Sequence, residues 1–215
     1  MIQEAGGKCK IELLTETQIH DAAHALARAF HDDPVCQYMI PDEQERAERM
    51  PEGFIIFATY AHLAGEAWVT AGEVQGAALW FPPEHTEMNS EHMETAGFQV
   101  LPSKMGEGPT ERLFQFLGHM DEFRERDMAQ PHWYLMILGV DPPVQSKGIG
   151  SALLQAVFDR ADRAGVCCYL ETAQPRNVPF YRKRGFEIVV EDIEPVSNIK
   201  FWTFKRQPGT SNKGS

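Results

Sequence analysis

The pattern of hydrophobic and polar positions predicts both helices and strands in the first half of the chain. Apolar residues over 19–30 recur at helical spacing and form one face. Thr15 and Gln18 have the spacing of a capping box, which marks the start of that helix. The Gly72-Glu73 pair separates two apolar runs and predicts a hairpin turn. The elements predicted here are a strand at 10–14, a helix from 15 that ends before Pro34, a helix at 42–63, and strands at 68–71 and 74–80.

The second half is predicted to run strand, loop, helix and strand. Residues 133–140 form a continuous apolar run, which is typical of a buried central strand. The helix that follows carries an apolar stripe and ends at Gly165. Because two strands joined by a crossover helix form a βαβ unit, this part of the sheet is predicted to be parallel, within a mixed α/β sheet. Further predicted elements are a strand at 166–172, a short helix opening at Phe180, and strands at 186–190 and 200–204.

The segment 84–130 is polar and rich in methionine, and its pattern is the least informative. A helix is predicted from Thr110, and the segment is interpreted as a helical insert over the core. We predict a single domain over residues 1–206 and a disordered polar tail at 207–215. The N-terminus shows no apolar signal region, and no apolar run reaches the roughly 20 residues of a membrane span. We therefore expect a cytoplasmic protein that does not bind membranes.

Charge and cysteine usage narrow the choice of partners. The 215 residues include 31 acidic and 20 basic side chains, a formal net charge of −11. A nucleic-acid surface is normally basic, so nucleic acid is not an expected partner, although a local basic patch could hold a small phosphorylated ligand. The negative charge favours a cationic substrate or serves solubility alone. The four cysteines lack Cys-x-x-Cys spacing, so we predict reduced thiols and no metal site.

The segment 145–150 joins the central strand to a helix and has the sequence Gln-Ser-Lys-Gly-Ile-Gly. Helix N-termini present unpaired amides and a partial positive charge, and glycines let a phosphate approach the backbone. A pyrophosphate is one interpretation, and a tight turn without a ligand is the other. The segment lacks the Gly-Lys-Ser/Thr ending of a P-loop, which excludes that class of nucleotide-binding enzyme.

Two motifs in this half resemble those of a known family. The stretch 140–154, VDPPVQSKGIGSALL, is similar to motif A of the GNAT acetyltransferase superfamily, and 177–186, NVPFYRKRGF, is similar to its motif B. The specific resemblance covers about 133–190, and within the superfamily this stretch is most similar to enzymes that acetylate puromycin. The resemblance implies a GNAT fold with a central sheet splayed at the cofactor cleft and acetyl-CoA as co-substrate. The first half of the chain matches the superfamily only loosely.

The resemblance also implies roles for individual residues. Backbone groups of the central strand would bond the pantetheine arm, the loop amides would hold the pyrophosphate, and Asn177 would contact the cofactor. The implied cofactor-binding residues are Leu138, Gly139, Val140, Gln145, Ser146, Lys147, Gly148, Ile149, Gly150, Ser151 and Asn177. Tyr181 would protonate the departing thiolate. Asn177 and Tyr181 are only four positions apart, fewer than in many members, so Asn177 could bond something other than the cofactor.

General chemistry sets the remaining requirements. The acceptor amine must lose a proton before it attacks, and a backbone amide near Gly139 is the expected donor to the developing oxyanion. Glu171 and His132 are the candidates for the base, and each could instead be structural. Tyr181 could also simply pack against its aromatic neighbours. Two further groups of residues are candidates for the acceptor site, and each has a structural alternative. An anionic wall for a cationic acceptor, or simply a solvated loop, could be formed by Asp32, Asp33 and Asp42. An aromatic acceptor pocket, or simply part of the core, could be formed by Trp68, Trp80 and Phe81.

The resulting hypothesis is an N-acetyltransferase that moves acetyl from acetyl-CoA directly to an amine of a small molecule, such as a toxin or antibiotic. A catalytically silent acyl-CoA sensor or scaffold and a protein N-terminal or lysine acetyltransferase remain alternatives. A protein acceptor needs an open groove, which the insert 84–130 would more naturally close. The expected assembly is a monomer or a homodimer.

Overall fold

The protein is described by a computed structural model of residues 9–85 and 88–209. Its strands form one seven-stranded sheet in the order β1-β2-β3-β4-β5-β7-β6. Only β4 and β5 pair in parallel, and every other pairing is antiparallel, so the mixed α/β sheet and its parallel βαβ section are confirmed. The strands are β1 Ile11–Leu13, β2 Glu66–Thr70, β3 Gly76–Phe81, β4 Trp133–Val140, β5 Cys168–Thr172, β6 Phe186–Ile193 and β7 Lys200–Arg206.

Eight α-helices are defined in the described residues, and several match the sequence predictions closely. They are α1 Ile19–Ala29, α2 Pro34–Met39, α3 Glu43–Ala64, α4 Ser90–Ala96, α5 Leu101–Met105, α6 Glu107–Asp127, α7 Ile149–Ala164 and α8 Val178–Arg182. The Thr15/Gln18 capping box is present, but it caps a short 3-10 turn that precedes α1. Asp42 caps α3 by accepting from the Glu45 amide at 2.8 Å. Gly165 adopts a left-handed conformation at the end of α7.

Alternating side chains of the sheet bury against helices on both faces. Val69, Leu79 and Tyr134 pack into one core with α1, α3 and the insert helices. Trp80, Leu135 and Leu170 pack into a second core under α7. This two-sided burial explains why the central strand is apolar at nearly every position. No helix of residues 9–85 or 88–209 is long and apolar enough to cross a membrane.

The insert differs most from its prediction. Instead of one helix from Thr110, it contains α4, α5 and an α6 that already begins at Glu107. Pro109 lies in the first turn of α6, where a proline costs no backbone hydrogen bond. Elsewhere β6 and β7 are longer than predicted, and β5 begins two residues later. Of the predicted tail, residues 210–215 lie outside the described residues, and the Gly209 amide donates to Asp162 Oδ1 at 2.8 Å.

Candidate active site

The two parallel strands separate at the centre of the sheet. The β4–β5 pairing ends at Leu135 and Leu170, after which β4 pairs only with β3 and β5 only with β7. The register between β3 and β4 shifts at the same level, leaving Met136 as an extra residue in β4. A β-bulge of this kind bends a strand away from its neighbour and is common beside active sites. The separation opens a cavity of about 560 Å³, here called the splay cleft.

Most of the sequence-predicted cofactor residues line the splay cleft. Those that do are Leu138, Gly139, Val140, Gln145, Ser146, Gly148, Ile149, Gly150, Ser151 and Asn177. Lys147 is exposed and is not among the lining residues, so the structure places its side chain outside the cleft. Backbone of the loop, rather than its lysine, therefore forms the wall.

The loop is shaped by left-handed residues. Ser146 has φ 63° and Gly148 has φ 88°, so both residues lie in the left-handed region just before α7 begins. The Gln145 side chain fixes the loop by donating to the Val140 carbonyl at 2.9 Å. At Gly150 an added Cβ would lie 3.1 Å from the Phe180 ring, so glycine permits the close approach of α8 to α7. The first amides of α7 have no acceptor within the helix, and Ile149, Gly150 and Ser151 at this end of the helix line the splay cleft.

Basic side chains collect at the splay cleft although the chain as a whole is acidic. Arg176, Lys183 and Arg184 line it, against a single carboxylate, Asp33. Arg184 donates to the Phe180 carbonyl at 2.6 Å and to Ser151 Oγ at 3.1 Å. Its guanidinium also stacks on the Phe180 ring, 3.5 Å from the centroid. Arg184 thus ties α8 to the start of α7 and adds positive charge at that end of the splay cleft.

Asn177 and Tyr181 project from the same short segment. The Asn177 side chain donates to Thr172 Oγ1 at 3.2 Å, so it has a protein partner, as the compressed spacing suggested. Tyr181 is only 5% exposed and packs against Phe180 and Phe186, yet it lines the cleft. Burial raises the pKa of Tyr181, and the charge of Asp33 adds to that effect. The phenol therefore stays protonated at neutral pH and is available as a proton donor.

A second cavity of about 160 Å³ adjoins the splay cleft and is here called the methionine pocket. The two cavities share the wall residues Phe30, Asp33, Leu138, Asn177 and Tyr181. Helices α2, α3, α5 and α6 build the rest of the pocket's helical wall. That wall consists of Val35, Cys36, Met39, Met50, Gly53, Phe54, Phe57, Met105, Leu113, Phe116, Leu117 and Met120. Two helices of the insert, α5 and α6, therefore cover the pocket.

Glu171 lies on the strand side of the methionine pocket, at the end of β5. Burial raises the pKa of Glu171 to about 8, although Arg124 and the Tyr134 hydroxyl oppose that rise. Arg124 stacks on the Tyr134 ring at 4.2 Å and forms an ion pair with Asp121 at 2.8 Å. Glu171 Oε1 is buried and has no hydrogen-bond partner among the described residues. Such a carboxyl can exchange a proton near neutral pH.

Asp33 occupies the junction of the two cavities, a position that sequence reasoning assigned to a solvated loop. Its carboxylate caps α2 by accepting from the Val35 amide at 2.9 Å. Burial raises its pKa to about 6, so it is largely ionised at pH 7. The other two aspartates of the suggested wall do not line either cavity: Asp42 caps α3, and Asp32 is exposed.

Several other candidates lie away from both cavities. His132 is buried next to β4, and its Nδ1 is 3.0 Å from the Gln130 carbonyl. Burial lowers the pKa of His132, and His132 lines neither cavity. Trp80 and Phe81 are core residues, and Trp68 packs against the core under α7. These three aromatic residues therefore pack in the core and do not line an acceptor pocket. Cys168 is buried under α7, whereas Cys167 points to the other face and meets Gln207.

Comparisons with known proteins agree with this geometry. The family model described as acetyltransferase (GNAT) family matches residues 21–186. The chain belongs to the GNAT acetyltransferase family. This GNAT protein is 32% identical over 173 residues to an uncharacterized N-acetyltransferase of Schizosaccharomyces pombe, covering 77% of this chain and 69% of that one.

More distant relatives show how far the likeness extends. A mycothiol acetyltransferase of Propionibacterium freudenreichii is 28% identical over 166 residues, covering 72% of this chain but only about half (49%) of that relative. Among solved structures, a histone acetyltransferase and related acetyltransferase from Corynebacterium glutamicum superposes with a TM-score of 0.63 at 19% identity, covering 94% and 97% of the two chains. A Drosophila melanogaster polyamine N-acetyltransferase gives 0.57 at 15% identity, covering 92% and 99%. At these identities the structures show the same fold.

Proposed function

We propose that this GNAT protein transfers acetyl from acetyl-CoA directly to the amine of a small molecule. The observation that carries the proposal is the shared wall of the two cavities. Because Asp33 and Tyr181 line both, an amine held in the methionine pocket would meet a thioester held at the inner end of the splay cleft. Direct attack needs this juxtaposition of two bound reactants.

The splay cleft fits coenzyme A in shape and charge. Its volume of about 560 Å³ suits a ligand of that size class. The left-handed loop and the start of α7 offer amides to a pyrophosphate, and Arg176, Lys183 and Arg184 supply the positive charge that the chain as a whole lacks. When bound, acetyl-CoA supplies the activated acetyl group. Leu138 and Val140 would bond its pantetheine arm through their backbone groups.

Two residues, Glu171 and Tyr181, carry out the proton transfers. Glu171 accepts the proton that the ammonium must lose, because a pKa of about 8 lies close to neutral pH and makes its carboxylate an effective base. Asp33, ionised at pH 7, holds the ammonium at the junction until then. The amine nitrogen forms a bond to the carbonyl carbon, the carbon–sulfur bond breaks, and Tyr181 gives its proton to the leaving thiolate. The second proton that the nitrogen loses as the amide forms returns to Tyr181, which restores the phenol. A strand amide near Gly139 stabilises the charge that develops on the carbonyl oxygen.

Thiol release from acetyl-CoA in the presence of different amines tests the proposal. The panel contains puromycin, polyamines, amino acids and a basic peptide. Puromycin is included because the stretch 133–190 resembles enzymes that acetylate it, which makes an amine-bearing antibiotic or toxin one candidate acceptor. Amine-dependent release with small molecules but not the peptide is the expected result. Activity with the peptide alone would favour a protein acetyltransferase.

Two variants separate catalysis from binding. Tyr181→Phe should reduce turnover while leaving the calorimetric affinity for acetyl-CoA unchanged. Tyr38→Phe is the matched control, since Tyr38 is half-buried on α2 and lines neither cavity. Tight binding of acetyl-CoA without release for any amine would instead support the silent sensor. Failure of both binding and release would refute the proposal.

A further inference from the structure

The methionine pocket has an uneven distribution of polar groups. The helical wall, contributed by α2, α3, α5 and α6, carries no charged side chain. Both carboxylates of the pocket lie elsewhere: Asp33 at the junction with the splay cleft, and Glu171 on β5. An amine attracted to the Asp33 carboxylate therefore directs the rest of its molecule toward an apolar surface. Burying a second charge against that surface would be strongly unfavourable.

We propose that the acceptor is a monoamine whose amino group is carried on a single apolar body about the size of one aromatic ring or a six-carbon chain. This inference rests on the proposed function, because it takes the methionine pocket as the acceptor site. It excludes diamines, polyamines and guanidinium-bearing amines as good acceptors. It also excludes peptide N-termini, whose backbone amides would meet the same apolar wall.

The size of the body follows from the volume. The pocket holds about 160 Å³, and an apolar cavity of about 150 Å³ accepts benzene. Helix packing limits its extension. Gly53 of α3 lies so close to Met105 that a methyl group on Gly53 would collide with Met105 Sδ. α3 and α5 therefore lie in close contact where they line the pocket, and no gap between these two residues is open to a longer chain.

The residues that line the pocket also predict that it accepts apolar bodies of different shapes. Five of the nine methionines in the chain line this pocket, namely Met39, Met50, Met105, Met120 and Met136. Methionine side chains are unbranched and polarisable, so they adapt to irregular shapes and make favourable contacts with aromatic rings. Linear alkyl, branched alkyl and phenyl bodies of similar volume should therefore be accepted within a narrow range of affinity.

A homologous series on the unaltered protein tests the inference. We expect kcat/KM to rise by about fourfold for each methylene from ethylamine to hexylamine, the factor that burial of one CH2 provides, and to fall for octylamine and decylamine. At each length the α,ω-diamine should be at least tenfold poorer than the monoamine, and agmatine should be poorer than butylamine. Equal or better activity with the diamines, or no dependence on chain length, would overturn the inference.

A charge placed on the helical wall tests the same point. Leu117→Asp on α6 should lower kcat/KM for hexylamine at least tenfold and narrow its advantage over 1,6-diaminohexane. Gln115→Asp, exposed on the same helix and outside the pocket, should leave the ratio of kcat/KM for hexylamine to kcat/KM for 1,6-diaminohexane unchanged within twofold. An unchanged ratio in folded Leu117→Asp would contradict the assignment. Should this variant fail to fold, the wild-type series decides alone.

Calorimetry separates this inference from the proposed function. Hexylamine and 1,6-diaminohexane are titrated into the protein saturated with coenzyme A. Preferential binding of hexylamine without thiol release for any amine would refute the catalytic proposal and retain the inference about the pocket. Thiol release with a preference for diamines would support the catalytic proposal and refute the inference about the pocket. Hexylamine that neither binds nor reacts would refute the assignment of the pocket.

Discussion

Replacing Glu171 by glutamine removes the most strongly perturbed carboxyl of the proposed reaction while keeping its shape. In the folded protein its pKa is about 8, against an ordinary value of 4.5. At about 1.36 kcal/mol for each pH unit, this difference sets an upper limit of about 5 kcal/mol on the cost of ionising the buried group. Between pH 4.5 and 8 the folded state holds a proton that the unfolded state has lost. The contribution of Glu171 to stability is therefore full below pH 4.5 and declines until about pH 8.

Urea unfolding at several pH values measures this effect. Relative to Glu171→Gln, the wild type should lose about 1.4 kcal/mol of unfolding free energy for each pH unit across that window and show no further change above it. Asp33, whose pKa is also raised, is present in both proteins and cancels in the comparison. Glu111→Gln, an exposed change on α6, should show no such divergence. Parallel stability curves for wild type and Glu171→Gln would refute the buried, protonated carboxyl.

The same variant tests the proposed role in catalysis. In the wild type, kcat/KM should rise with pH up to about 8 as Glu171 becomes the carboxylate. Glu171→Gln should lose this limb and about 10²- to 10⁴-fold in rate, the usual contribution of a positioned base. Unchanged acetyl transfer in a folded Glu171→Gln protein would show that another group takes the proton.

Three further changes follow from the geometry of the splay cleft. Tyr181→Phe should lower kcat by about 10²- to 10⁴-fold with acetyl-CoA affinity retained in calorimetry, and an equal loss of affinity would instead indicate a packing role. Gly139→Ala should cost about 1–3 kcal/mol in urea unfolding, because the added Cβ would lie 2.7 Å from Leu26 Cδ2 of α1; an unchanged midpoint would mean that α1 yields easily. Arg184→Lys keeps the charge but loses the bond to Ser151 and the ring stacking, so acetyl-CoA binding should weaken several-fold at constant salt.

The half of the site that we propose for the coenzyme was predictable because its signals are local. The central strand, the glycine loop and the start of α7 are contiguous, and each residue type reports its own backbone requirement. Gly148 adopts φ 88°, and Gly165 ends α7 in a left-handed conformation. Lys147 does not line the splay cleft, and sequence proximity to a loop does not say where a flexible side chain points. Arg184 was part of the quoted motif, yet nothing local indicated that it would reach back to Ser151.

The other half was not predictable from local signals. Pro34 was interpreted as the end of α1, but it is also the first residue of α2, since a proline at that position needs no amide partner. An aspartate immediately before a proline, at a helix N-cap, is the signal that could have located Asp33. The methionines that line the pocket come from α2, α3, α5, α6 and β4, and no periodicity within one element reveals that they converge.

This difference has a physical origin that bears on the reaction. A pyrophosphate is recognised by backbone amides, and backbone geometry is imposed by neighbours in sequence such as glycine and proline. An apolar acceptor body is recognised by surface shape, and that shape depends on how α2, α3, α5 and α6 pack against one another, which long-range contacts decide. Asp33 and Tyr181 line both cavities and Glu171 lines the methionine pocket, so the proposed reaction requires all three to be placed relative to the bound reactants. Substitutions in the helical wall should therefore alter which amine is used, whereas substitutions at these three residues should alter how fast any amine reacts.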